Sequence, residues 1–412
     1  MIRIKRAAAR PMVKLLREAL DGNQLTANVL AGVPRDTIIR EFEDPLLEAI
    51  RLLREATEIE HSLMVQYLFA AYSVSPLYAD LLKGAAQPGA DSLIGVAIQE
   101  MQHLGMVNEL LKDLGQAPNL IRQDFPYEPD IYPFPLHLER LSLKSAAKYL
   151  YTEAPAAALD RDAPENAGEA EQAFLTKLFE VIGTETRPNH LGSLYGALLS
   201  VLQEADSAAP GSIPNLPDHL SRLEFVRGEG EKDHFLFFKA VFLGKHEAFP
   251  QERNVWDLAD TDPNYPSLPF PANPSAFEGH ENQIPGETVC LIGALANFHY
   301  WVILMLLDLH YRSTNLDAKR IYISLSRKHM VQPLASLGET LATMNTGLPF
   351  DVLSLGYAPG QDLRNSVEFV MRLLTEAVGR AEKLRAHLPT FPFNTASASL
   401  QKLRELLAAG TI

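Results

Sequence analysis

The chain has 412 residues, 47% of them apolar, with a formal net charge of −14 and one cysteine. This length allows one large or two medium domains, and the apolar share is typical of a soluble globular protein. The negative charge argues against nucleic acid or an anionic membrane as a partner. The single cysteine excludes an intramolecular disulfide framework and a cysteine-rich metal site, and we expect a cytoplasmic protein.

Residues 1–44 form a predicted N-terminal extension, with a short helix around residues 12–20. Charged residues follow the first positions too closely for a signal peptide. Asp44-Pro45 has the pattern of a helix start, and residues 46–74 have the apolar spacing of one long helix. Glu60 and Tyr67 lie two turns apart on its apolar face. A carboxylate in such a stripe is costly unless it is paired or bound to a metal ion.

The second predicted helix contains Glu100 and His103 and ends near Gly115. A Glu and a His three residues apart project from one face of a helix, so together they can hold a divalent metal ion. Bundles that bind two metal ions use such a pair on each of two helices and a lone Glu on each of the other two. The other helices should therefore supply the remaining metal ligands.

A proline-rich tract follows and predicts a long crossover, and residues 154–168 predict an exposed loop. A third helix is predicted from about 168 to 183, and it resumes at His190 after Pro188. The fourth predicted helix, about 218–245, carries a second pair, Glu231 and His234. The sequence Gly228-Glu229-Gly230 just before this pair predicts a kink or bulge in that helix.

Residues 249–286 are proline-rich and predict a long loop, and further helices are predicted at about 287–312, 316–346, 361–387 and 397–409. The most apolar span, 291–307, is interrupted by Asn297 and His299, so we expect a buried core helix and no membrane span. No alternating strand pattern is present, so we predict an all-α protein. Its predicted parts are the extension, a metal-binding bundle at 45–248, the loop, and a C-terminal helical region at 287–412.

Two Glu-x-x-His pairs on separate helices, with Glu60 on a third, favour a metal site over the alternative of a structural hydrogen-bond network. His61 is interpreted as a residue behind the ligands or at the surface. His299 is interpreted as a core histidine with its hydrogen bonds satisfied.

Several of these stretches resemble one known family. They are Ile59-Glu60-His61-Ser62-Leu63, the run from Glu100 to Gly115, Leu191-Gly192-Ser193-Leu194-Tyr195, and Gly228-Glu229-Gly230 with His234-Phe235. The resemblance is to the ferritin-like domain family of iminophenyl-pyruvate dimer synthase, which also occurs in violacein and rebeccamycin pathway synthases. It covers roughly residues 45–350 and implies a ferritin-like four-helix bundle with additional C-terminal helices. Those synthases are much longer, so their dimerisation activity is not transferred to this chain.

One position departs from the family pattern, because Ser193 stands where the third helix usually carries an acid. The predicted ligands Glu60, Glu100 and Glu231 are then one carboxylate short of the four that neutralise two divalent ions. Either His190 replaces the missing ligand, or one metal ion is weak or absent. Glu229 is an alternative to Glu231, and the three-residue spacing to His234 favours Glu231.

Oxygen and imidazole ligands suit iron, with manganese as an alternative. We therefore expect a non-haem iron oxidoreductase that uses O₂. Tyr67 and Tyr195 are the candidate electron or proton donors. The resemblance implies that the substrate is a small, amino-acid-derived metabolite of secondary metabolism. We expect it to enter beside loop 249–286 and the aromatic run Phe235–Phe238. The alternative is a degenerate bundle that binds metal or acts as a scaffold without turnover, and a homo-oligomer is left open.

Overall fold

The computed structural model describes residues 38–84, 91–122, 134–183, 191–352 and 362–410. The short helix predicted around 12–20 and the candidate ligand His190 lie outside these described residues. The protein is all-α, as predicted, and the described residues form no strand, only two isolated bridges, Val74–Ser267 and Ser275–Gln283.

The N-terminal two-thirds of the described chain contains the helices that surround the candidate site. They are α1 (Pro45–Ser73), α2 (Leu93–Asp113), α3 (Leu143–Glu153), α4 (Glu169–Ile182), α5 (Leu191–Ala208), α6 (Leu216–Glu229) and α7 (Phe235–Phe242). Single helical turns at Ala79–Lys83 and Ala156–Leu159 connect some of them.

Helix α1 begins where the sequence predicts it. The Asp44 carboxylate accepts hydrogen bonds from the backbone N–H groups of Leu46 and Leu47, and Pro45 occupies the first helical position. Most of the second half of α1 is buried on all sides, because α2, α5 and the C-terminal helices pack around it. This burial places Glu60 in the centre of the bundle.

One side of the bundle is built from two separate helices, α3 and α5, in place of one continuous helix. Helix α3 packs against α7, and α5 packs against α6. Helices α6 and α7 follow one another in one continuous helical element, the fourth rod of the bundle. The chain leaves the bundle after Glu153, at the end of α3, and returns at Leu191, at the start of α5. The third side of the bundle is therefore interrupted next to Glu153.

The fourth rod contains a five-residue π-helical segment, Gly230–His234, between α6 and α7. It confirms the kink or bulge predicted from Gly228-Glu229-Gly230. The rod stays continuous, since α6 runs directly into the π segment and the π segment into α7. Its wider turn changes which side chains of the rod face the bundle centre.

The C-terminal part of the chain is a set of helices packed on the bundle. They are α8 (Glu287–Arg312), α9 (Leu316–His329), α10 (Ala335–Ala342), α11 (Leu363–Lys383) and α12 (Asn394–Ala409), with a second π segment, Met330–Leu334, between α9 and α10. Among the described residues, α8 alone is long and apolar enough to cross a membrane. Of the 18-residue window of α8 that meets this criterion, 72% is buried inside the protein. Such burial is typical of the core helix predicted at 291–307.

The proline-rich segment 249–286 contains one short 3₁₀ turn, Val255–Asp257. It is held against the end of α1, because Ser75 N–H donates to the Pro266 carbonyl at 2.9 Å and Leu268 N–H donates to the Ser73 carbonyl at 2.7 Å. The segment is thus anchored to the bundle at its middle.

Candidate metal centre

Two groups of acidic and imidazole side chains meet in the interior of the bundle. One consists of Glu60, Glu100 and His103, and the other of Glu100, Glu153 and His234. Within each group, one donor atom from every residue lies within 4.8 Å of the others, and all five residues are buried. Glu100 belongs to both groups, so the arrangement is that of two adjacent sites with a shared carboxylate.

The two carboxylate oxygens of Glu100 face different imidazoles. Glu100 Oε2 lies 3.1 Å from His103 Nδ1, and Glu100 Oε1 lies 2.9 Å from His234 Nδ1. The outer carboxylates are further away, with 3.6 Å from Glu60 Oε2 to His103 Nδ1 and 3.6 Å from Glu153 Oε2 to His234 Nδ1. Each imidazole therefore directs Nδ1 at one shared and one outer carboxylate.

Three of these inward-facing atoms are buried polar groups without a hydrogen bond. Within the part of the chain that the structure describes, Glu60 Oε2, Glu100 Oε1 and His234 Nδ1 have no hydrogen-bond partner of acceptable geometry. Leaving a buried polar group unsatisfied costs about 1–3 kcal/mol, and more when the group is charged. Three such atoms directed at one small volume fit a bound cation that supplies the missing contacts.

The outer nitrogen of each imidazole is held by a residue from another helix. His103 Nε2 lies 2.8 Å from Glu229 Oε2, and His234 Nε2 lies 3.1 Å from Gln99 Oε1. Gln99 also donates from Nε2 to Glu229 Oε1 at 2.5 Å. Metal-binding histidines commonly donate their other N–H to a carboxylate or carbonyl, which fixes the ring and the nitrogen offered to the metal ion. Both rings are oriented in this way.

Each outer carboxylate also accepts a hydrogen bond from a buried tyrosine. Tyr195 donates its hydroxyl to Glu60 Oε1, and Tyr67 donates to Glu153 Oε1. In both cases the other oxygen, Oε2, is the one directed at an imidazole. The structure therefore brings the predicted donors Tyr67 and Tyr195 to equivalent positions on the two sides of the centre.

Without a metal ion, these buried groups strongly perturb one another. Burial and the nearby charge of Glu100 raise the pKa of Glu60 to about 8. Burial lowers the pKa of His234, but the carboxylates of Glu100 and Glu153 outweigh it and raise that pKa to about 10. Burial likewise opposes the charged form of His103, yet its hydrogen-bonded carboxylates hold its pKa well above the usual value. The centre thus retains protons that a cation would displace.

The acidic residue of the fourth rod that reaches the centre is Glu229. The predicted ligand Glu231 is directed elsewhere, and its Oε2 lies 3.6 Å from Arg227 Nε with its side chain 26% exposed. The physical reason is the π segment, whose five-residue turn aligns Glu229 with His234 and moves Glu231 off that face. The spacing argument for Glu231 over Glu229 is corrected accordingly.

The sequence analysis did not identify Glu153. The expected acid of the third helix is absent at Ser193 on α5, and Glu153 at the end of α3 occupies the corresponding side of the centre. A signal was present, since Ser142 begins a capping box and Tyr149 and Glu153 lie one helical turn apart. The surrounding proline-rich sequence led to the prediction of a crossover without helix. With Glu153 the two donor groups contain three carboxylates and two imidazoles, and Glu229 is a fourth carboxylate behind His103.

A small cavity adjoins the centre at the interruption between α3 and α5. Its empty volume, mouth included, is about 250 Å³. Its wall includes His103 and Glu153 from the centre, Tyr195 from α5, and Arg227 and Glu231 from the fourth rod. Among the described residues, neither loop 249–286 nor the run Phe235–Phe238 lines this cavity, so it opens on a different side from the predicted substrate entrance.

Two further histidines are placed by the structure. His61 is buried on α1, and its Nε2 lies 2.7 Å from the Tyr300 hydroxyl of α8, so it is not a surface residue and its side chain faces α8. His299 is a core residue, with Nδ1 3.0 Å from His329 Nδ1, while its Nε2 has no hydrogen-bond partner among the described residues.

The residues fit a pair of divalent cations. Lone carboxylates come from α1 and α3, a Glu-x-x-His pair comes from α2, and His234 comes from the fourth rod, whose Glu229 lies behind His103. Helical bundles that bind two iron or manganese ions use the same set of residue types. Hard oxygen ligands with imidazole favour iron, manganese or zinc over metals that require thiolate.

Comparison with known proteins agrees with this fold. A family model described as Ferritin-like matches residues 53–216. The chain is also similar to dichlorochromopyrrolate synthase from Lentzea aerocolonigenes, with 30% identity over 231 residues, which is 50% of this chain and 20% of that protein. The matched region thus spans about a fifth of the length of this relative. No solved structure matches the chain significantly. The match to the Ferritin-like model thus covers residues 53–216, which contain four of the five residues at the centre.

Proposed function

We propose that this protein is a non-haem oxidoreductase with a di-metal carboxylate centre that acts with O₂ on a small metabolite. The observation that carries the proposal is the convergence of two donor groups on a shared Glu100, with hydrogen-bond-deficient atoms directed at the space between them. Glu100 Oε1 and His234 Nδ1 lie 2.9 Å apart without hydrogen-bond geometry, and Glu60 Oε2 also lacks a hydrogen-bond partner among the described residues, which favours a shared cation over a satisfied hydrogen-bond network.

In this proposal, Glu60, Glu100 and His103 would hold one ion, and Glu100, Glu153 and His234 would hold the other. Iron is preferred, with manganese as an alternative, because the ligands are carboxylates and imidazoles. When bound, the metal pair would supply the electrons and Lewis acidity for reaction with O₂. The four carboxylates Glu60, Glu100, Glu153 and Glu229 would balance the charge of two divalent ions.

The protein's own contribution is to position groups, exclude water and hold protons. The centre is closed on most sides by buried side chains, and the adjoining cavity reaches His103 and Glu153. Tyr195 and Tyr67 each hold a hydroxyl proton against an outer carboxylate. Each proton is placed to move to Glu60 or Glu153 when negative charge develops there.

The substrate class comes from similarity. The relative is named as a dichlorochromopyrrolate synthase, and that name describes an enzyme that makes a small organic acid. We propose that this chain also acts in the secondary metabolism of an amino-acid-derived compound, in the cytoplasm. The compound is larger than the cavity beside the centre admits in this conformation, so its contact with the centre would require the α3–α5 interruption to widen.

The first experiment measures bound metal. Protein purified from iron-replete cells is expected to contain about two transition-metal ions per chain, as in bundles with this ligand set. The variant Glu100→Ala removes the shared carboxylate and is expected to lose both ions. The matched control Glu109→Ala, on the same helix but paired with Lys319, is expected to retain them. Less than half an equivalent of metal in the parent protein, unchanged in Glu100→Ala, would contradict the proposal.

The second experiment separates an enzyme from a scaffold. The missing acid at Ser193 motivated the scaffold alternative, and Glu153 removes that motivation. Reduced, iron-loaded protein is expected to consume O₂, and His103→Ala is expected to abolish the uptake. Metal binding without any O₂ uptake would favour a binding or scaffold protein.

A further inference from the structure

A second cavity lies on another side of α1, between the bundle and the C-terminal helices. Its empty volume, mouth included, is about 520 Å³. Much of its wall is apolar and is formed by Leu120 and by Leu304 and Met305 of α8. Ile121 and Val352 also line the cavity, and both side chains are more than half exposed. Apolar walls with few polar groups are typical of sites for small organic ligands.

One polar group in this wall is the imidazole of His61. Its Nε2 lies 2.7 Å from the Tyr300 hydroxyl, while its Nδ1 is buried and has no hydrogen-bond partner among the described residues. The backbone groups of Leu120 and Ile121 lie next to the ring. A neutral ring can donate or accept through Nδ1 according to its tautomer.

The second polar group is the guanidinium of Arg122. Its Nη1 donates to the Phe350 carbonyl at 2.8 Å, which anchors the side chain at the cavity. The guanidinium and the imidazole of His61 line the same cavity. Arginine binds carboxylates through paired N–H groups, and a half-buried position strengthens that contact relative to bulk water.

We propose that this cavity binds a small carboxylic acid with an aromatic or branched aliphatic body. The carboxylate would contact Arg122, the apolar body would lie against Leu304 and Met305, and His61 Nδ1 would provide one further hydrogen bond. Apolar walls on most sides disfavour a phosphate or a sugar, whose polar groups would lose their hydration without replacement.

This site is separate from the metal centre. His61 follows Glu60 directly in α1, and adjacent residues of a helix point about 100° apart, so the two side chains face different neighbours. Glu60 contacts His103 and Tyr195, whereas His61 contacts Tyr300. Binding of an acid in the cavity is therefore independent of metal bound to the carboxylates.

The test measures binding of phenylacetate, indole-3-acetate and 4-methylpentanoate to the full chain by calorimetry and ligand-detected NMR. The corresponding amides serve as uncharged analogues. We expect at least one acid to bind, with its amide at least tenfold weaker. Arg122→Gln is expected to weaken the acid at least tenfold and to leave the amide unchanged. The control Arg54→Gln removes the same charge from an exposed position of α1 and is expected to have no effect.

Filling the cavity provides a second test. Met305→Trp is expected to abolish binding of acid and amide alike. Circular dichroism checks that this variant folds. If it does not fold, Arg122→Gln alone decides the test. The proposal is overturned if none of the acids binds, if binding survives Met305→Trp, or if Arg122→Gln has no effect. It is also overturned if Glu100→Ala abolishes binding, since the acid would then be a ligand of the metal centre.

Discussion

His103 Nε2 lies 2.8 Å from Oε2 of Glu229, a residue on the rod that also carries His234. Glu229 thereby holds the outer nitrogen of one imidazole while His103 Nδ1 faces Glu60 and Glu100. It connects the second and fourth sides of the bundle through the ring of one candidate ligand.

Glu229→Ala is expected to weaken metal binding by about 10- to 100-fold, the usual cost of removing a carboxylate behind a histidine ligand. The measurement is a competitive chelator titration with Fe(II) and with Mn(II). Glu231→Ala is the matched control, because Glu231 contacts Arg227 and not an imidazole, and its affinity is expected to stay within about twofold. The reverse order of the two effects would restore Glu231 as the functional acid.

Glu153→Ala is expected to reduce the bound metal from about two ions to about one per chain, because it removes a ligand from one group only. Metal analysis by mass spectrometry checks this. Glu165, an exposed acid in the excursion that follows α3, provides the control Glu165→Ala, which is expected to keep both ions. Full occupancy in Glu153→Ala would show that another residue completes the site.

Gly230→Ala tests the close approach of α3 to the π segment. A Cβ at this position would lie 3.0 Å from Glu153 Oε2, so the carboxylate would have to move away from His234. We expect metal affinity to fall at least tenfold. Gly228→Ala adds a methyl group where no atom lies within 4 Å, and it should leave affinity unchanged while stabilising the helix by about 0.5–1 kcal/mol. Equal affinities of the two variants would contradict this placement of Glu153.

Metal binding is expected to release protons and to strengthen as pH rises. Near neutral pH the metal-free centre keeps Glu60, with a pKa of about 8, and His234, with a pKa of about 10, in their protonated forms. A cation can bind only the deprotonated groups, so each proton must leave. Affinity should therefore increase until pH passes these values. Calorimetry in buffers of different ionisation enthalpy measures the protons released, and a pH-independent affinity would refute the assignment.

Tyr195→Phe is expected to retain metal within a few-fold and to slow O₂ consumption, because it removes the hydroxyl proton beside Glu60. The effect of losing one positioned proton donor is typically about 10²- to 10⁴-fold. Tyr322→Phe is the control, since Tyr322 is a buried tyrosine of α9 that lies outside both donor groups. Unchanged uptake in Tyr195→Phe would limit this tyrosine to a structural role.

The sequence predicts those parts of the centre that follow helical periodicity within one element. Glu60 in an apolar stripe and the pair Glu100 and His103 both have the expected one-face geometry, and the structure brings them together. The glycines around Glu229 predict the irregular turn of the fourth rod, which the π segment confirms. Local pattern was sufficient because these features depend on residues a few positions apart.

The remainder depends on relations between elements. Glu153 ends an eleven-residue helix within a proline-rich tract, and its role follows from the packing of α3 against α7. The choice between Glu229 and Glu231 depends on how far one turn is widened, which amino-acid spacing does not specify. The candidate His190 lies outside the described residues. Contacts between distant segments, which set these positions, have no local signature.

The widened turn at Gly230–His234 has a consequence for recognising similar centres in other chains. In the widened turn, the acid that reaches the imidazole of the neighbouring helix lies five residues before His234 and not three, while a nearer acid remains as a decoy. In this chain Glu231 is that decoy. A search that accepts the longer spacing where glycines flank the acid would recover centres that the shorter signature assigns to the wrong carboxylate.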